Sequence, residues 1–162
     1  MAKRANSKRQ IARSVEVALV AYLKKSGSFK TKETAVIEFT ESEEAPDNLP
    51  CIIVKCVNVT RTPDTSLDMF SKTANVTATL LVDSEQNSLP QYEAIAFDLE
   101  CILEDLDRMK VAFNKPVSGK DTRSIRGLHL HYIEELQTDT DTSGTVWQFG
   151  VGLSLILDEV AS

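Results

Sequence analysis

Aromatic side chains make up only 6% of this 162-residue chain, which also has two histidines, three cysteines, six glycines and five prolines. Each shortage removes a class of protein. So little glycine and proline excludes a collagen-like or low-complexity chain. Three cysteines, Cys51, Cys56 and Cys101, cannot close a disulfide framework, and the spacing of five puts Cys51 and Cys56 on opposite faces of a strand. We expect all three to be reduced and mostly buried, acting as small hydrophobes in a chain that folds in the cytosol. No apolar run approaches the roughly 18 residues of a membrane helix. The segment 15 to 23 is interrupted by Glu16 and followed at once by Lys24 and Lys25, unlike the apolar core of a secretion signal. No membrane partner is expected.

Charge is distributed unevenly. Residues 1 to 32 hold nine of the eighteen Lys and Arg and a single acid, Glu16, while the other 130 residues hold nine basic and 23 acidic side chains. A molecule polarised in this way attracts a partner of opposite sign at its basic end, either nucleic acid or an acidic protein face. Residues 1 to 13 contain Lys3, Arg4, Lys8, Arg9 and Arg13 and read as a flexible basic arm; residues 14 to 160 read as one α/β domain. The arm has no aromatic interleaving, so its contact with DNA would be weak and confined to phosphates. An acidic protein ring would suit it equally.

Periodicity supplies the elements. Val15, Ala18, Leu19, Tyr22 and Leu23 form one apolar stripe of a short helix with Ser14 as N-cap. Lys24 and Lys25 suit its C-terminal turn, with Gly27 as the stop, and membership of a basic binding face is the second reading. Residues 35 to 39 and 51 to 59 read as strands, joined by an acidic loop bounded by proline. In residues 75 to 82, Val76, Ala78, Leu80 and Val82 alternate with Asn75, Thr77, Thr79 and Leu81. Ser88 and Gln91 have capping-box spacing and open a long amphipathic helix running to Met109, with Pro90 in its first turn. A strand over 128 to 136 would place Leu128, Leu130 and Tyr132 on one face and His129, His131 and Ile133 on the other. A polar connection over 137 to 144 leads to a last strand over 145 to 157. There Trp147, Phe149, Val151, Leu153, Leu155 and Leu157 alternate with Gln148, Gly150, Gly152 and Ser154, whose small size would let another backbone or chain come close.

The expected fold is α/β (α+β): a mixed, mostly antiparallel sheet of about four to five strands, covered on one face by two helices and polar on the other. Two loops are candidate contacts. One carries Leu67, Met69 and Phe70, apolar residues that rest either on their own domain or on a neighbouring subunit. The other carries a basic set, Lys115, Lys120, Arg123 and Arg126.

Catalytic and metal chemistry find little support. There is no Gly-rich phosphate loop, nucleophile elbow or His-Glu-x-x-His run. His129 and His131 share a strand face, but zinc needs further converging ligands. Asp139 and Asp141 lack the central glycine and terminal glutamate of a calcium loop. Neither an enzyme nor a resident metal or cofactor is expected.

The order and texture of these elements resemble the tail terminator proteins of long-tailed bacteriophages, with their related tail-completion and minor tail proteins. The resemblance runs from about Val15 to Leu157. It is carried by the short helix 15 to 25, the Leu49-Pro-Cys-Ile-Ile-Val run, the strand 76 to 82 leading into the helix from Ser88, and the closing Trp147-Gln-Phe-Gly-Val. It implies a structural virion protein that forms a ring, a homohexamer, at the head-proximal end of the tail. Such a ring ends tube polymerisation and offers a head–tail joining surface. The implied partners are further copies of the chain, the tail tube protein and a head–tail connector protein, with assembly in the host cytoplasm. The strand 145 to 157 and the long helix would form the ring's core, and the loops 40 to 50, 61 to 72 and 114 to 126 its contacts. The basic first thirteen residues depart from the pattern. Two alternatives stay open: a head-completion or neck adaptor binding portal or DNA, and a non-specific DNA-binding accessory protein.

Overall fold

Two strands of strict period-two alternation, paired side by side, set the plane of the molecule. The computed structural model describes residues 8–25, 38–40, 49–62, 71–114 and 128–159. In chain order the elements are α1 (Lys8–Lys25), β1 (Glu38–Thr40), β2 (Cys51–Thr62), β3 (Ser71–Asp83), α2 (Leu89–Glu104), α3 (Leu106–Asn114), β4 (Leu128–Asp141) and β5 (Val146–Glu159). The strands form one five-stranded sheet in the order β1-β2-β3-β5-β4. Only the three-residue β1 pairs in parallel, with β2; all other pairs are antiparallel. This is the mixed, mostly antiparallel α+β fold that the pattern predicts.

Direct cross-strand partners lie on one face. Val82, Leu80, Ala78 and Val76 of β3 stand opposite Trp147, Phe149, Val151 and Leu153 of β5. Ile52, Val54 and Cys56 of β2 stand opposite Leu80, Ala78 and Val76, so three strands share one apolar face. All three helices lie over that face. α1 packs on β2, α3 on β4 and against α1, and α2 reaches β5. The α1 stripe of Ile11, Val15, Leu19, Tyr22 and Leu23 is buried, as are Tyr92, Ile95, Leu99 and Leu103 of α2 and Met109 and Phe113 of α3. Each fully buried aliphatic side chain contributes roughly 1.5–3 kcal/mol to burial. The Tyr22 hydroxyl donates to Ile102 O at 2.7 Å, joining α1 to the last turn of α2.

The structure departs from the sequence reading at four places. First, the residues expected to form an arm are helical from Lys8 onward, and Ile11 is fully buried, so Ser14 lies inside the helix and does not cap it. Second, the long helix from Ser88 divides at Asp105. Its capping box forms as expected, with Gln91 N donating to Ser88 Oγ and Ser88 N to Gln91 Oε1. Asp105 N–H then donates to Ile102 O at 3.4 Å, closing α2, and Asp105 Oδ1 accepts from Arg108 N at 3.3 Å, opening α3. Third, β4 continues through residues 137 to 141, so the hairpin connection is shorter than expected. Fourth, register shifts fall between Leu130 and Tyr132 and between Ile133 and Glu135. The extra residue at His131 reverses the alternation: Tyr132 pairs opposite Ile156 and Ile133 opposite Leu155, exchanging the faces expected for them.

Candidate assembly surface

On β3 and β5, the middle of the sheet face opposite the helices is built mainly from short polar side chains and glycine, with Ile53 and Lys55 of β2 beside them. Thr73, Asn75, Thr77 and Thr79 of β3 stand opposite Ile156, Ser154, Gly152 and Gly150 of β5, and no described element lies over them. Asn75 Nδ2 donates to Asn58 Oδ1 at 2.6 Å, and Ser154 Oγ donates to Asn75 Oδ1 at 2.7 Å. This row of side-chain bonds crosses β2, β3 and β5 and fixes the orientation of their amides and hydroxyl. Val57, at the β2 register shift, is exposed, and so is Tyr132 on β4. Both offer apolar area at the margins of the polar field.

Gly150 and Gly152 fall on this face as predicted. A Cβ added at either would come no closer than 4.0 Å to Asp139 O and 3.9 Å to Gln137 O respectively, which is ordinary contact. Among the described residues, therefore, packing does not exclude a Cβ at either position.

β4 is an edge strand of 14 residues, and its far end projects as a hairpin in which residues 137 to 146 are all exposed. At the tip, Asp141 Oδ1 accepts from Ser143 N at 2.9 Å and from Ser143 Oγ at 2.6 Å, and these bonds hold its carboxyl below the usual range. The hairpin is anchored where Tyr92 OH donates to Gln148 O at 2.8 Å and meets Thr140 Oγ1 at 2.7 Å, with Trp147 edge-on to its ring at 5.4 Å. Helical periodicity places Tyr92 in the apolar stripe but carries no sign of this long-range anchor.

His129 and His131 do lie together, with ring centroids 5.5 Å apart. His131 Nε2 pairs with Asp158 Oδ2, whose side chain is buried next to β4. His129 Nδ1 is buried with no hydrogen-bond partner among the described residues. Among the described residues no three His, Cys, Asp or Glu side chains gather as a metal site. Cys51 and Cys56 are buried on opposite faces, opposite Leu81 and Val76, and all three cysteines are free thiols. Cys101 departs from expectation, because it projects from α2 and is exposed.

Of the basic end, Lys8 and Arg9 are exposed on the first turn of α1, and Arg13 lies 3.9 Å from Glu16 one turn further on. Lys24 and Lys25 occupy its last turn, where positive charge meets the negative end of the helix dipole. Lys3, Arg4, Leu67, Met69, Phe70, Lys115, Lys120, Arg123 and Arg126 lie outside the described residues. Among the described residues no helix is long and apolar enough to cross a membrane. Comparison with protein-family models and with curated proteins found no match for this chain.

Proposed function

We propose that this chain is a structural subunit of a long-tailed phage virion. It assembles into a ring, a homohexamer, that ends tail-tube growth and presents a surface for joining the head. The observation that carries this reading is the sheet face built from Thr73, Asn75, Thr77, Thr79, Gly150, Gly152 and Ser154, with helices on the other side only among the described residues. A hydrogen-bonded polar face flanked by the projecting β4–β5 hairpin suits contact with another subunit or with the end of a tube. The element order that resembles tail terminators supports the same role. A ring acts here through shape: one face complements the tube and the opposite face gives no purchase to a further tube subunit. Its binding partners on this reading are its own copies, the tail tube protein and a head–tail connector, and the reading invokes no reaction or cofactor.

The test is growth of tubes from the tail tube protein of the same virion, with and without the purified chain, measured by electron microscopy. Tubes should stop at shorter lengths with a ring at one end. Gly152→Gln should leave folding intact, because a Cβ there meets only ordinary contact, yet reduce capping by projecting into the contact face, with circular dichroism confirming the fold. Tubes of unchanged length, with no ring bound, would reject the reading.

A further inference from the structure

The outward side of α2 is unusual for a solvent-facing helix surface. Ala94, Phe97 and Cys101 follow one another at helical spacing and are all exposed, Phe97 to 66%. Glu93, Glu100 and Glu104 flank them. The negative field is wider than the helix: residues 73 to 107 contain eight acids and no Lys or Arg. Its reach is registered at Cys101, whose thiol is raised by desolvation and then by Glu104, Glu100 and Asp98. Among the described residues no cation pairs with Glu93, Glu100 or Glu104.

An exposed phenyl ring rimmed by carboxylates calls for a cationic partner, and two α2 surfaces set against each other would oppose like charges. The chain carries the required complement itself. Lys8 and Arg9 stand exposed on the first turn of α1 and, among the described residues, form no ion pair with α2 of their own chain. They belong to the segment 1 to 32, where nine basic residues meet one acid. We propose that the Ala94–Phe97–Cys101 stripe of α2 receives the basic amino-terminal end of a second copy. Each subunit then gives one surface and receives on another, a head-to-tail contact that repeats around a ring. The arrangement rests on the assembly reading above and names the surface that would close it. Charge pairs at the rim steer the encounter while the phenyl ring supplies the buried centre.

The experiment is the mass of the native assembly by light scattering, over a concentration series at low and raised salt. Wild-type protein should associate, with the dissociation constant rising as salt screens the contact. Glu93→Lys, Glu100→Lys and Glu104→Lys combined should weaken association by about tenfold or more, as should Lys8→Glu with Arg9→Glu. Combining both sets in one chain should restore it. The milder Glu93→Gln, Glu100→Gln, Glu104→Gln chain guards against misfolding and should be intermediate, with circular dichroism confirming the fold. A wild-type chain that stays monomeric throughout, or a charge-reversed chain that assembles as wild type does, overturns the proposal. The two readings separate cleanly. A charge-reversed chain that assembles and still caps tubes removes the α2 contact alone, whereas α2-dependent assembly without any effect on tubes removes the capping role alone.

Discussion

Tyr92 brings three elements together through one hydroxyl, reaching Gln148 O on β5 and Thr140 on β4 from the first turn of α2. Replacing it with Phe keeps the ring against Trp147 and removes only the hydrogen bonds. Tyr92→Phe should therefore lower the free energy of unfolding by about 1–3 kcal/mol, read from urea midpoints, because a carbonyl is left partly buried without its donor. Cysteine chemistry gives a second prediction. The Cys56 thiol is pushed up to about 12, first by burial and then by the Glu16 carboxylate. The folded chain keeps that proton to a higher pH than the unfolded chain does. Its contribution to stability is complete below about 9 and is lost as pH rises toward about 12. Urea midpoints should fall across this window, and fall less in Cys56→Ala. In thiol titration of the native protein Cys101 should react first, since it alone of the three is exposed, with Cys51 and Cys56 reacting only on unfolding.

At the scale of elements, the legible features are those with an unbroken period. β3 and β5 alternate without interruption, so their faces can be read residue by residue, and the Ser88 capping box marks the start of α2. What escapes such reading involves a local change of rule. The first two turns of α1 are hidden by three basic residues, Lys8, Arg9 and Arg13, although Ile11 sits four before Val15 on the same stripe. The break at Asp105 has no glycine or proline to announce it; one aspartate supplies both a helix end and the next helix start. Asp105→Ala removes the side-chain acceptor for Arg108 N and should cost about 0.5–2 kcal/mol, the usual range for an N-cap, measured by thermal or urea unfolding. The reversal at His131 is invisible in the sequence because two-residue alternation allows no extra residue. His131 nevertheless has a definite task beside buried Asp158. His131→Ala should destabilise the fold by about 1–3 kcal/mol, with the loss visible in urea midpoints.

For the molecule as a whole, the order of charged residues along the chain already separates positive from negative, and the fold shows where the two poles sit. Positive charge gathers on α1, negative charge on the outer side of α2 and along the hairpin. The surfaces proposed for contact are less legible than the fold. Alternating Thr and Asn announce an open sheet face, but Phe97 and Cys101 give no warning, since exposure of a helical apolar residue depends on how the helix is laid on the sheet. The loops expected to carry contacts fall mostly outside the described residues. A final expectation follows from the polarity. Binding to duplex DNA, measured by gel retardation, should be weak even at low salt, because the body of the chain repels the phosphates that residues 1 to 13 attract.

A fourteen-residue strand at a sheet margin is, by default, a template on which copies can add without limit, as they do in fibrils. Here that margin is bent twice, at His131 and near Glu134, and carries Glu134, Glu135, Asp139 and Asp141. Bends and carboxylates of this kind oppose the in-register addition of further strands, so the protein should stay free of fibrils at concentrations where an unbroken edge of this length would not.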